Sequence, residues 1–269
     1  MKTEMVIKIR QEQQEDYLQI RDLVRDAFAF AEHADGDEHN LIERLRLSSE
    51  YIPELSVKYR NIIFDFDGTL ADTAPSILET MHRTIDALKL PEKTDEECRS
   101  IIGYRLEETP SILWPDIQGI AERYVTTYRE IFNSVKDSFK IQLFPHVLET
   151  LDSLNRQGIR MAIASSRNKV SLQECCSDLH IYKYFQMLVG AADVKNGKPA
   201  PDPVNLILDS QGWDKNETLV VGDMGVDILM GKGAGAAACG VTYGNGSVAE
   251  LQEAGADHII SDFSELIGI

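Results

Sequence analysis

No stretch of this chain approaches the roughly 18 uninterrupted apolar residues that a membrane-spanning helix needs. Cysteine is scarce: four in 269 residues, at Cys98, Cys175, Cys176 and Cys239, with no C-x-x-C spacing. That spacing excludes a zinc ribbon and a disulfide framework and reads as reduced packing residues. Basic residues are also few. Lys and Arg number 27 against 44 Asp and Glu, a net charge of −17, which argues against a nucleic-acid partner held through its backbone phosphates. A phosphorylated small molecule is not excluded, because a local cation site overrides the global field. The opening Met1-Lys2-Thr3-Glu4 leads into a charged stretch with no signal-peptide core, so the expected location is the cytoplasm. There is no internal repeat and no low-complexity tract.

What is present is an ordinary balance of 43% hydrophobic and 26% charged residues, enough chain for one large domain or two smaller ones. The most informative stretch is Asn61-Ile62-Ile63-Phe64-Asp65-Phe66-Asp67-Gly68-Thr69-Leu70. Ile62 to Phe64 form a continuous apolar run, as in a strand buried on both faces. Two carboxylates follow at once. Side chains two apart share a face in extended chain, so Asp65 and Asp67 are expected in one cavity. Gly68 permits a sharp exit. Acids at the carboxyl end of a buried strand sit where open α/β sheets bind ligands.

Downstream, strands and helices alternate, the pattern of a parallel sheet. Strands are expected at 159–164, 187–191, 218–221, 238–242 and 258–260, with helices over 146–157 and 169–179 and another from about Pro203. Residues 73–145 read as nearly all helix. Ile77, Leu78, Met81, Ile85 and Leu88 mark one helix. Thr94-Asp95-Glu96-Glu97 is a capping box opening a second, which ends near Gly103. Ile117 to Val135 carry a long third helix. So long a segment is not a loop.

The string at 64–70 resembles the first motif, hydrophobic-Asp-x-Asp-Gly-Thr, of the haloacid-dehalogenase-like hydrolase superfamily. Three further matches follow in order: Ser165 closing an apolar strand, Lys198 before Pro199-Ala200-Pro201, and Gly222-Asp223 with Asp227 after a buried strand. Within that superfamily the chain looks most like the phosphoglycolate-phosphatase-like group, which also shares Gly240-Val241-Thr242-Tyr243-Gly244. One departure is His146, where the group often has Gly after Pro145.

The resemblance implies a Rossmann-like, doubly wound parallel α/β sheet, with the core in 59–72 and 146–269 and a helical cap inserted at 73–145. It implies a Mg²⁺-dependent phosphatase acting on a small phosphorylated metabolite through an aspartyl-phosphate. In that scheme Asp65 is the nucleophile and Asp67 the general acid and base. Ser165 and Lys198 hold the transferring oxygens. Asp65, Asp67 (through its backbone carbonyl) and Asp223 are the metal set, and Asp227 either joins it or orients Lys198 or a metal-bound water. Thr69, Ser166 and Arg105 are expected to contact substrate, with Tyr104 beside Arg105.

A sugar phosphomutase would use the same intermediate, but such enzymes usually carry Asp-Gly-Val, and Thr69 favours the phosphatase. A dehalogenase lacks the second Asp, and a phosphonatase has Ala there. A binding or regulatory module is a third reading, opposed by the intact set of acids, Ser and Lys.

Residues 1–58 form a small α+β segment in this reading. Strands at 6–9 and 53–57 flank helices at 15–30 and 38–47, an order that resembles the opening of GNAT-type acetyltransferases. The pyrophosphate-binding loop of that family has no counterpart before Asp65, so acetyl transfer is not expected. The cluster His33, Asp35, Asp37 and His39 reads as a solvated loop rather than a metal site. The sequence leaves the oligomeric state open.

Overall fold

The computed structural model describes residues 58–269, and Tyr59–Ile269 form one unit. Its first strand, β1 (Asn61–Phe64), is buried at every position. After a turn come the two-residue β2 (Ala71–Asp72), α1 (Ala74–Leu88), α2 (Asp95–Arg99), α3 (Thr109–Leu113), α4 (Ala121–Val135) and the two-residue β3 (Gln142–Leu143). The chain then alternates through α5 (Val147–Arg156), β4 (Arg160–Ala164), α6 (Lys169–Asp178), β5 (Phe185–Val189), α7 (Asp202–Gln211) and β6 (Thr218–Gly222). It ends with α8 (Gly225–Gly233), β7 (Ala237–Val241), α9 (Val248–Glu253) and β8 (His258–Ile260).

Six strands pair in the order β5-β4-β1-β6-β7-β8, all parallel. Such a sheet must be covered on both faces, and the side chains of β1 show both covers. Ile63 pairs in register with Ala162 and Val220 and joins Val204, Ile207 and Met230 of α7 and α8 in one apolar cluster. Its neighbour Phe64 points the other way, with ring centroids 5.6 Å from Phe263 and 6.2 Å from Phe185. The sheet is therefore doubly wound, as the sequence implies.

The helical insertion has a core of its own, built from Leu78, Met81, Ile85, Cys98, Leu113 and Tyr124 among others. Its two ends meet in a short antiparallel ladder, Ala71 with Leu143 and Asp72 with Gln142. Thr94 and Glu97 form the expected reciprocal cap. Four details differ from the sequence reading. The helix after that cap stops at Arg99, short of Gly103, whose φ of +114° is not helical. The five-residue α3, with Pro110 in its first turn, is unanticipated. Helix α4 begins at Ala121, not Ile117. Strand β5 begins two residues early, because Phe185 is drawn into the packing on Phe64. The expected elements and the His/Asp cluster of 1–57 lie outside the described residues.

His146 adopts φ +62°, the left-handed conformation that favours glycine, though His is among the side chains more often found there. Its Nδ1 lies 2.7 Å from Asp262 Oδ2. The turn that the group often builds with Gly is thus kept, with the imidazole tied to the last segment of the chain.

Because Ile63 is fully buried at the centre of the sheet, Ile63→Ala should cost about 2–5 kcal/mol. The urea midpoint should fall with little change in the slope of the transition.

Candidate active site

Three of the four motif residues come from separate strand ends and the fourth from a loop. Asp65 extends β1, its N–H donating to Val221 O at 2.8 Å, and Ser165 extends β4 in the same way toward Val189 O at 2.9 Å. Asp223 follows β6, and Lys198 lies in the loop between β5 and α7. In the sheet order, the chain leaves β1 toward β4 and β5 and returns to its other side at β6. That is the topological switch point where such sheets open a crevice.

Charge is concentrated there. Asp65, Asp223 and Asp227 are 2%, 1% and 0% exposed, and an oxygen of each lies within 4.8 Å of the others. Lys198, 3% exposed, places Nζ 2.5 Å from Asp65 Oδ1 and 2.6 Å from Asp227 Oδ1. Asp227 Oδ2 also accepts from the N–H of Met224 at 3.1 Å. Burial would lower the Lys198 pKa, but Asp227 and Asp65 hold it above its ordinary value. One ammonium does not neutralise three carboxylates. Burial first, then Asp227, raises Asp223 to about 7. Burial likewise raises Asp65 well above the carboxylate range despite Lys198, with Asp227, Asp223 and Asp67 adding to the rise. Surplus buried oxygen charge suits a hard divalent cation.

Backbone shape makes this crowding possible. Gly68 has φ +88°, and a Cβ there would stand 2.2 Å from Asp223 Oδ2. A Cβ on Gly222 would come equally close to Asp227 Cβ. Asp223 is fixed on both oxygens: Thr69 Oγ1 donates to Oδ1 at 3.2 Å, and Asn245 donates to Oδ2 from its backbone N–H at 2.7 Å and its side-chain amide at 3.1 Å.

Asp67 stands outside the carboxylate trio and has partners the sequence reading did not name. Arg167 grips it twice, Nη2 to Oδ1 at 2.5 Å and Nε to Oδ2 at 3.2 Å, and Thr73 Oγ1 donates to Oδ1 at 2.6 Å. Burial would raise the Asp67 pKa, but Arg167 and Thr73 more than offset it, and the carboxyl is held below its ordinary range.

Of the other expected contacts, Ser165, Ser166 and Arg105 line the same cavity as Asp65 and Asp67. Ser165 Oγ accepts from the N–H of Arg167 at 3.1 Å, and Ser166 donates to Gly103 O at 2.6 Å. The Arg105 guanidinium donates to the carbonyls of Ala191, Val194 and Lys195 at 2.8–2.9 Å. It thereby ties the insertion to the loop that carries Lys198. Tyr104 also lines the cavity.

The raised Asp223 pKa has a consequence for stability. Folded protein keeps that proton up to about pH 7, whereas the unfolded chain releases it near pH ~3.9. Between those values the unfolded state binds fewer protons, so stability falls as pH rises. In EDTA, the melting temperature of the wild type should drop between about pH 5 and about pH 7.5 by several degrees more than that of Asp223→Asn. Equal drops would contradict the assignment.

A model of the haloacid dehalogenase-like hydrolase family matches residues 62–241. Among curated relatives, the phosphoglycolate phosphatase of Salmonella typhi is 30% identical over 231 residues, covering 77% of this chain and 91% of that protein. The phosphoglycolate phosphatase of Photorhabdus laumondii is 30% identical over 213 residues with the same coverage. Among solved structures, a haloacid dehalogenase-like family hydrolase from Streptococcus pneumoniae shares the fold. Its TM-score is 0.70 at 23% identity, over 78% of this chain and 98% of that one. The acetyltransferase-like reading of 1–58 draws no support from these matches. A buried acid–lysine site at the switch point of a doubly wound sheet and a family match spanning that sheet lead to one conclusion: the chain belongs to the haloacid dehalogenase-like hydrolases.

Proposed function

We propose that this chain is a Mg²⁺-dependent phosphatase of phosphomonoesters that works through a phosphorylated Asp65. The observation that carries the reading is Lys198 Nζ 2.5 Å from Asp65 Oδ1, inside a buried group of acids. Asp65 lines the cavity, and one of its oxygens is held by the Lys198 cation. The relatives named as phosphoglycolate phosphatases support the reaction class.

In the first step, an Asp65 oxygen attacks phosphorus and the bond to the leaving oxygen breaks. Asp67 gives that oxygen its proton, releasing an alcohol. In the second, water attacks the aspartyl-phosphate, its proton passes to Asp67, and inorganic phosphate leaves with Asp65 restored. Arg167 keeps Asp67 ionised in the arrangement seen here, which is the form that accepts a proton from water. For Asp67 to deliver a proton to the leaving oxygen, the guanidinium must loosen its grip. Lys198 and Ser165 steady the phosphoryl oxygens, and Asp227 holds Lys198 in place from the far side.

Asp65 and Asp223, with the backbone carbonyl of Asp67, would hold Mg²⁺. The trio's excess negative charge fits that role. When bound, the ion lowers the repulsion between carboxylate and phosphate. Thr69 acts on Asp223 rather than on substrate. The insertion, 73–145, serves as a cap over the site, and Ser166 and Arg105 fasten its Gly103–Arg105 loop to the core.

Phosphate release from p-nitrophenyl phosphate tests the reading. Activity should require Mg²⁺ and vanish with EDTA. Asp65→Asn should lower kcat by at least about a thousandfold with the fold retained by circular dichroism. Wild-type turnover in that variant would refute the nucleophile assignment.

A further inference from the structure

The cavity above Asp65 and Asp67 has a volume of about 800 Å³, in the upper part of the range that holds drug-sized ligands. A two-carbon alcohol would leave most of it to water. Its wall is also specific. Along α4, ring centroids follow one another from Tyr124 to Tyr128 at 6.2 Å and from Tyr128 to Phe132 at 6.3 Å, the last pair only 7° from parallel. Rings four residues apart share a helix face. Tyr124 is fully buried and Tyr128 and Phe132 are half-buried; all three line the cavity, as do Ile77, Met81 and Leu106. The track ends at the chemistry: Arg167, which grips Asp67, lies with its guanidinium carbon 5.9 Å from the Phe132 ring centre.

The charges of the cavity point the same way. Four cationic side chains line it among the described residues, and each is already engaged. Arg105 donates to three carbonyls, with only its Nε left unpartnered; Arg129 pairs with Glu107, Lys136 with Glu174 at 3.7 Å, and Arg167 with Asp67. A leaving group with its own carboxylate would share these cations with groups they already hold. A neutral flat ring displaces none and gains a stacking surface.

We propose that the substrate is a phosphomonoester whose leaving group is an uncharged, ring-bearing alcohol of nucleoside type, stacked on Tyr128 and Phe132. This rests on the phosphatase reading and narrows it away from the small acid suggested by the relatives' names.

The test compares kcat/KM with Mg²⁺ for adenosine and uridine 5′-monophosphates against 2-phosphoglycolate and glycerol 3-phosphate, with p-nitrophenyl phosphate as a control. Both nucleotides should exceed both aliphatic esters by about tenfold or more, the scale of one ring stack. In Tyr128→Leu and Phe132→Leu that ratio should fall about tenfold, through KM. A measurement on the unaltered protein guards against variants that fold poorly: adenosine should inhibit p-nitrophenyl phosphate hydrolysis competitively, and glycolate should not. Equal or better turnover of 2-phosphoglycolate, an unchanged ratio in both variants, or inhibition by glycolate alone would overturn the proposal and leave the phosphatase reading standing. No turnover of any ester, the control included, would overturn both.

Discussion

Three carboxylates and one ammonium, all removed from water, are the constraint around which this molecule is arranged. Holding Asp65, Asp223 and Asp227 in such proximity is unfavourable, and the surrounding structure shows what offsets it. Lys198 bridges two of the acids, Thr69 and Asn245 donate to the third, and glycine stands where any side chain would collide with them. The strand ends cannot be shifted by one residue without exchanging the face on which these groups lie. The packing of Ile63 and Phe64 on opposite sides of β1 therefore sets the register of the site as well as the stability of the sheet.

Much of this was legible because it lies where the sequence has strong punctuation. Ile62–Phe64 is a plain apolar run ending in acids. Ser165, Lys198 and Asp223 each follow a strand or sit in a proline-marked loop. The partners of Asp67 were not legible. Arg167 lies 100 positions away in a turn of polar residues, and nothing in its surroundings indicates which carboxylate it meets. Thr73 looks like a helix-start residue, yet its hydroxyl turns to Asp67. Asn245 follows the Gly240–Gly244 tail, and its bonds to Asp223 exist only because β7 runs beside β6.

The secondary-structure differences have equally local causes. Helix α3 is too short for a periodic pattern to register. Strand β5 starts at Phe185 because a ring contact outweighs the turn-like Tyr182–Tyr184 before it. His146 shows the reverse case. The residue departs from the glycine expected at that turn, but the backbone keeps the glycine-like conformation, and a carboxylate at Asp262 gives the imidazole a partner.

The two-residue ladder between β2 and β3 carries a consequence for how such proteins diversify. Because Ala71 pairs with Leu143, the chain departs from the sheet domain and rejoins it one strand spacing away, about 4.8 Å. Any folded module whose own termini lie that close together can be grafted at this junction without a sheet strand being moved. With the insertion as the proposed cap, selectivity would then be exchanged as a cassette while the sheet-borne site is inherited intact.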